Sequence, residues 1–391
     1  MSERIAFTGA EVFDGHTNRG QAALLIESDR VTDIVERTDI PEGYAHVVMD
    51  GGTILPGLVD LQVNGGGGVM LNSRPDVEAI KTLCAAHAAC GTSAVLPTLV
   101  TDTREVMHRA VEAAVEATRR AVPGMIGLHL EGPHLAVSRK GAHMANLIRP
   151  MDEDDLIFLE QTVGELPTLM VTLAPESVTE DQVARLTAAG LTVSLGHSDT
   201  SYAAARRLVG RGARCVTHLF NAMSQISSRE PGLVGVSLES PELSAGLIAD
   251  GYHVSIETIN IALRSKVGPG RIFLVSDAMA VTGTSLTEFT LNGRRILRGG
   301  GRLTLEDGTL AGADLYLLSA VDFICHSVGL TLEEGFRMAS LYPAQVIGRE
   351  GEFGALKPGA RANFLWLDAD GKPGCTYIDG RRVHGVHKAA Q

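Results

Sequence analysis

Two histidines of this sequence each follow a short apolar run just where it gives way to a polar loop: His197 in VSLGHSDT and His218 in CVTHLFNAM. Alone, either one reads as a hydrogen-bonded core histidine; their repetition at equivalent places in successive units argues for chemistry. Between them, SYAAARRLVGRG sets Ala, Leu and Val at helical spacing and ends at Gly210 and Gly212, so the unit reads strand, helix, strand. Such a unit makes its strands parallel neighbours, and in a parallel barrel the C-terminal strand ends form the active face. Two imidazoles there can converge on one metal ion or one substrate atom.

A third apolar run ends GLHLEGPHL, and two-residue alternation puts His129 and Glu131 on one face, with Gly132-Pro133 ending the strand. Glu131 with His197 and His218 makes a carboxylate and two imidazoles, the donor set of a catalytic metal that keeps one position open. The run FLVSDAM delivers Asp277 after an apolar strand. Its carboxylate suits a general base that takes a proton from water and returns it to a leaving amine, although a ligand role is also open to it.

Positioning these groups requires eight strands, and eight apolar runs are present: GLVDLQV, TSAVLPTLV, MIGLHLEG, LMVTLAPE, LTVSLGHS, CVTHLFNA, LSAGLIAD and RIFLVSDAM. Amphipathic stretches such as DVEAIKTLCAAHAACG, TREVMHRAVEAAVEATRRAV, EDQVARLTAAG and SIETINIALRSK separate them, several ending at Gly. The expected fold is an α/β (β/α)8 barrel of the TIM type over residues 56–349. Alternating runs before it (IAFTGAEVF, AALLIES, RVTDIVE) and after it (GALKPGARANFLWLD, CTYIDGRRVHGV) predict a small β-sandwich built by both termini, 1–55 and 350–391, its N-terminal part an antiparallel sheet. His87, Cys84, Cys90 and His108 fall on helices and read as packing or surface residues. The glycines 65–68 lack the surroundings of a phosphate-binding loop and read as a flexible loop.

The 391 residues allow one large barrel with an accessory domain. A net charge of -12 without any Lys/Arg cluster argues against a nucleic-acid partner. The N-terminus lacks a signal-peptide pattern and no apolar stretch is long enough to span a bilayer, so the expected location is cytoplasmic, with no membrane partner. Five cysteines with no CxxC pair argue against a disulfide framework and a thiolate zinc site.

GLHLEGPHL, KGAH at Lys140 to His143, SLGHSDT, THLFNAMSQISSREPGLVG and VSDAM, taken in order, resemble the N-acetylglucosamine-6-phosphate deacetylases of the amidohydrolase superfamily. The resemblance runs across nearly the whole chain. It implies hydrolysis of the acetamide of N-acetyl-D-glucosamine 6-phosphate to the amine and acetate, with Glu131, His197 and His218 on the metal and Asp277 as acid/base. It also implies substrate contacts from Ala142, His143, Asn221, Ala222, Arg229, Asp250, His253, Leu310, Ala311 and Gly312. In these roles His143 would donate to the amide oxygen. The backbone N–H groups of Asn221 and Ala222, with His253 and Arg229, would hold the phosphate. The polar, Pro/Gly-rich segment around Arg229 suggests that this side chain reaches a neighbour's site in a homodimer. Where the superfamily commonly carries HxH on strand one, this chain has Gln62 and Asn64, which points to one divalent ion per subunit. Zn²⁺ is expected, and Fe²⁺ and Co²⁺ accept the same donors. His134 replaces an expected aromatic ring, which suggests a changed sugar contact, or none. Another N-acetylhexosamine 6-phosphate (galactosamine or mannosamine) as substrate, and a non-catalytic sugar-phosphate sensor, remain alternatives.

Overall fold

The computed structural model describes residues 3–386. Eight parallel strands stand side by side in sequence order: β1 (Leu58–Val63), β2 (Thr92–Val100), β3 (Leu128–Glu131), β4 (Leu169–Leu173), β5 (Thr192–Leu195), β6 (Cys215–Val216), β7 (Ser244–Leu247) and β8 (Ile272–Leu274). These are the eight runs read from the sequence. They are buried along their whole length save Ser244, as expected where helices cover one face and barrel packing fills the other. The ring closes only at the C-terminal ends of β8 and β1, where Val63 bridges Ala278 and the Asp277 N–H donates to the Gln62 carbonyl at 3.0 Å. That seam brings Asp277 beside Gln62 and Asn64.

The helices start where the sequence offers caps. Asp76, Thr103, Thr179, Ser201 and Ser255 each accept a backbone N–H three residues on, opening Val77–Ala88, Arg104–Arg119, Glu180–Ala189, Tyr202–Val209 and Ile256–Ser265. Each such cap is worth about 1 kcal/mol. Gly190, at φ 104°, ends the third in the left-handed region that glycine adopts without a Cβ clash.

Beside the barrel, two sheets face each other as a sandwich. One carries Arg30–Val35, Ala23–Glu27, Arg4–Thr8 and Ala45–Val48 in that order. The other joins Glu11–Val12 and Thr53–Pro56 to Phe364–Leu367, Pro373–Ile378 and Arg381–Gly385. Thr53–Pro56 pairs antiparallel with Phe364–Leu367, so the two ends of the chain share this layer. Phe7, Phe364 and Tyr377 pack ring against ring in its core, with centroids 4.3–5.1 Å apart. The first sheet is mixed rather than antiparallel, because Arg4–Thr8 pairs parallel with Ala45–Val48.

One element escaped the sequence reading. Strands β9 (Glu288–Leu291), β10 (Arg294–Gly299) and β11 (Arg302–Leu305) form an antiparallel sheet after β8. Asn292 and Gly293, at φ 48° and 76°, make the two-residue turn for which Asn-Gly is the strongest short hairpin signal. Its apolar side, Leu291, Ile296 and Leu303, packs on Val100, Met279 and Ala311 at the barrel mouth.

The glycine run is not a flexible loop. Gly65–Gly66 and Val69–Met70 form a short antiparallel pair, and the N–H groups of Gly65, Gly67 and Gly68 donate to Ala278, Thr282 and Ala280. A Cβ on Gly65 would lie 2.5 Å from the Val69 oxygen and 2.7 Å from the Ala280 nitrogen, so close backbone approach explains the composition. His87 is fully buried beneath it, one ring nitrogen 3.0 Å from the Gly65 carbonyl. All five cysteines are free, and no described helix is long and apolar enough to cross a membrane.

Candidate active site

Glu131 is the last residue of β3, and Gly132 then turns the chain at φ 88° where a Cβ would strike the Thr101 hydroxyl. His197 and His218 lie two residues past β5 and β6, and Asp277 three past β8. All three have left-handed backbones, with φ of 47°, 30° and 48°. Such conformations cost a non-glycine residue about 1–3 kcal/mol, and they persist where surrounding structure dictates side-chain aim.

Those turns bring the groups together. Glu131 Oε1 is 3.1 Å from His218 Nε2 and 3.3 Å from His197 Nε2, and the two imidazole nitrogens are 3.0 Å apart. Donors on a tetrahedral cation with bonds of about 2.0–2.2 Å are separated by roughly 3.3–3.6 Å, so with a small outward adjustment the three fit one divalent ion. His197 Nδ1 donates to the Arg139 carbonyl at 2.8 Å, leaving a bare Nε2 lone pair facing the other two donors. Burial pushes Glu131 up, but its close approach to His197 and His218 outweighs that and holds the carboxyl well below its usual range.

Asp277 accepts from Asn64 Nδ2 at 2.7 Å and Gln62 Nε2 at 3.1 Å, and the same Gln62 nitrogen is 3.1 Å from Glu131 Oε1. The amides therefore present N–H groups where a second ion would need lone pairs. Burial, then the charge of Glu131, push Asp277 up to about 6.

His143 is nearly buried, its ring edge-on to His197 at 4.3 Å. One of its nitrogens also comes within 4.8 Å of ligand atoms of Glu131 and His197, an alternative donor triad. The Thr101 N–H, however, donates to His143 Nδ1 at 3.3 Å, with the Thr101 hydroxyl 2.8 Å from the same atom. A backbone N–H can only donate, so Nδ1 is the acceptor and the proton sits on Nε2. Burial, then the charge of His197, push His143 down to about 3, so the ring is a neutral donor.

A cavity of about 240 Å³ opens over these groups and is lined also by Ala142, Asn221, Ala222, His253, Leu310 and Gly312. Ala311 is fully buried between the last two. Asp250 stands behind His253, its Oδ2 2.7 Å from Nδ1 and its Oδ1 accepting the Tyr252 and His253 N–H groups. The Asn221 N–H is already spent on the His218 carbonyl at 3.0 Å, which leaves only that of Ala222 without an acceptor among the described residues. His134 does not line the cavity: it is buried beside Asp155, with Nδ1 3.2 Å from the Arg149 carbonyl. Arg229 is exposed and outside this chain's own cavity.

The sequence reading missed Val100, Ile248, Met279 and Leu291, the apolar walls of the cavity. Their apolar positions carry no local signal that separates a cavity wall from core. His129, read onto the same face as Glu131, lies below the site with its nitrogens 2.9 Å from the Leu61 carbonyl and 2.7 Å from the Thr172 hydroxyl.

Residues 53–383 match the amidohydrolase family. N-acetylgalactosamine-6-phosphate deacetylase of Shewanella sp. (strain ANA-3) is 39% identical over 88% of this chain and 86% of its own length. The N-acetylglucosamine-6-phosphate deacetylase of Homo sapiens is 37% identical over 94% and 90%. The crystal structure of N-acetylglucosamine-6-phosphate deacetylase from Pasteurella multocida superposes with a TM-score of 0.93 at 32% identity, covering 99% of this chain and all of that one. Matches of this extent, over a barrel whose strand ends carry Glu131, His197, His218 and Asp277, place the chain in the amidohydrolase family, within its N-acetylglucosamine-6-phosphate deacetylase branch.

Proposed function

We propose that this protein hydrolyses the acetamide of N-acetyl-D-glucosamine 6-phosphate, releasing acetate and D-glucosamine 6-phosphate. The observation that carries this reading is the convergence of Glu131, His197 and His218 at 3.0–3.3 Å beside Asp277, at the floor of a cavity. Glu131, His197 and His218 would hold one divalent cation, Zn²⁺ by donor type, with Fe²⁺ and Co²⁺ also accepted. When bound, such a cation polarises the amide oxygen and lowers the pKa of water. Asp277, held by Gln62 and Asn64, takes the proton of the attacking water and delivers it to the departing nitrogen. His143 donates Nε2–H to the amide oxygen as negative charge builds there. His253, oriented by Asp250, and the Ala222 N–H face the sugar phosphate.

The 39% identity to a deacetylase of N-acetylgalactosamine 6-phosphate supports a second reading, in which that epimer is the substrate. Acetate release from the N-acetylated glucosamine, galactosamine and mannosamine 6-phosphates, with the unphosphorylated sugars alongside, separates the two. No turnover of any acetamide by metal-loaded protein would instead favour a sugar-phosphate sensor.

Purified protein should carry about one tightly bound divalent ion per chain, because Gln62 and Asn64 donate where a second ion would bind. Elemental analysis after dialysis measures this, and a catalytically required stoichiometry near two would refute it.

Arg229 supports a homodimer reading: it is exposed on a polar loop beyond β6 and has no carboxylate partner among the described residues, free to reach a neighbour's phosphate. Arg229→Ala should weaken substrate binding by roughly ten- to a hundredfold, the worth of one charge-assisted contact. Mixing it with Asp277→Asn under subunit exchange should restore activity, since mixed dimers combine Arg229 of one chain with Asp277 of the other. Exchange without recovery would remove Arg229 from the partner's site.

A further inference from the structure

His143 is held from two sides, and both supports lead to the hairpin that follows the barrel. On one side its Nδ1 accepts the Thr101 N–H, and the carbonyl of that same Thr101 accepts Asn292 Nδ2 at 3.3 Å. On the other side the carbonyl of Ala142, the residue before His143, accepts a guanidinium N–H of Arg294. Asn292 and Arg294 flank Gly293 at the β9–β10 turn, so two neighbouring side chains of one hairpin tie down both backbone segments that orient one ring.

Arg294 has no ion pair among the described residues, and its Nε is buried without an acceptor. Its hydrogen bond goes to the neutral Ala142 carbonyl, so ion pairing is not what keeps a guanidinium there. The hairpin itself is fixed: Asn292 and Gly293 both occupy left-handed conformations, and Leu291, Ile296 and Leu303 are buried against the barrel mouth. A donor on a short, docked turn can hold a loop in register better than one on a mobile tail.

We propose that the β9–β10 hairpin is a clamp that fixes the orientation and tautomer of His143, with Arg294 and Asn292 as its positioning residues. The catalytic consequence rests on the reaction proposed above; the clamp itself does not. With the clamp intact, Thr101 keeps Nδ1 as acceptor and Nε2–H faces the reacting centre. Without it, the Ala142–His143 segment and Thr101 shift independently and the ring samples both tautomers.

The test uses full-length Zn²⁺-loaded protein with ¹⁵N-labelled histidine. The ring signals of His143, identified among the 13 histidines by their loss in His143→Ala, should show one tautomer protonated on Nε2. Arg294→Ala, and Asn292→Gly, which keeps the left-handed turn and removes the amide, should move those signals toward tautomer averaging and leave those of His129 and His87 in place. Arg294→Lys should restore them at least in part. In turnover, Arg294→Ala should lower kcat about tenfold with KM nearly unchanged, since a small misplacement of a positioned group acts on the transition state. In a His143→Ala background the same change should cost less than about twofold, because coupled residues are not additive. Unchanged His143 ring signals in both variants, or an equal penalty in both backgrounds, would overturn the clamp. Absence of acetate release by the wild-type protein would count against the proposed reaction, while the ring signals would still decide for or against the clamp.

Discussion

Asp277→Asn should fold, keep its cation and lose turnover on the order of a thousandfold or more, because in the proposed reaction one carboxylate serves two proton transfers and an amide serves neither. Asn can still accept from Asn64 and Gln62 through its carbonyl oxygen, so the seam between β8 and β1 should hold. Matched thermal midpoints and metal contents, set beside kcat, make the measurement. More than a tenth of wild-type activity would mean that another group is the base. The pH profile adds an independent check. Burial and Glu131 raise the Asp277 carboxyl to about 6, and a cation beside it draws that value back down. A protonated carboxyl cannot accept a proton, so wild-type kcat should fall with decreasing pH at or below this value. The residual activity of the Asn variant should lack that acid limb.

Removing one of the proposed ligands should be as costly. His218→Ala takes away the nitrogen 3.1 Å from Glu131 and 3.0 Å from His197, leaving two donors. The cation should then dissociate in dialysis. Several kcal/mol of transition-state stabilisation should go with it, on the order of a thousandfold or more in kcat. A readout free of turnover is available as well: an ion that binds only the folded protein raises its thermal midpoint, so a chelator should lower the midpoint of wild type and barely move that of His218→Ala. Full metal content in His218→Ala would shift the ligand assignment to the triad of Glu131, His143 and His197.

Much of this site was legible because its determinants are local. A parallel strand covered on both faces reads as a continuous apolar run, and the residue after such a run falls at the active face. That reasoning reaches Glu131, His197, His218 and Asp277 with no coordinates. It also recovers all eight barrel strands, since their runs are bounded by glycines and capped helices. The hairpin at β9 and β10 carries a readable local signal in Asn292-Gly293, but it stands outside the strand–helix alternation that marks the barrel.

The remaining features depend on approaches between segments distant in sequence. Gln62 and Asp277 lie 215 positions apart, and their hydrogen bond exists only because the ring closes at β8 and β1. The glycines at 65–68 looked flexible by composition, but they are confined because Ala278, Ala280 and Thr282 return against them. His134 sat beside a catalytic motif and yet turned toward Arg149 and Asp155, since two-residue alternation ends where the strand does. The order of residue types along the chain thus set which groups were available for chemistry and at which end of the barrel. Chain closure and packing set which nitrogen of His143 carries the proton, which N–H groups are already spent, and how closely three donors approach, because each of these is a distance between atoms that no local pattern contains.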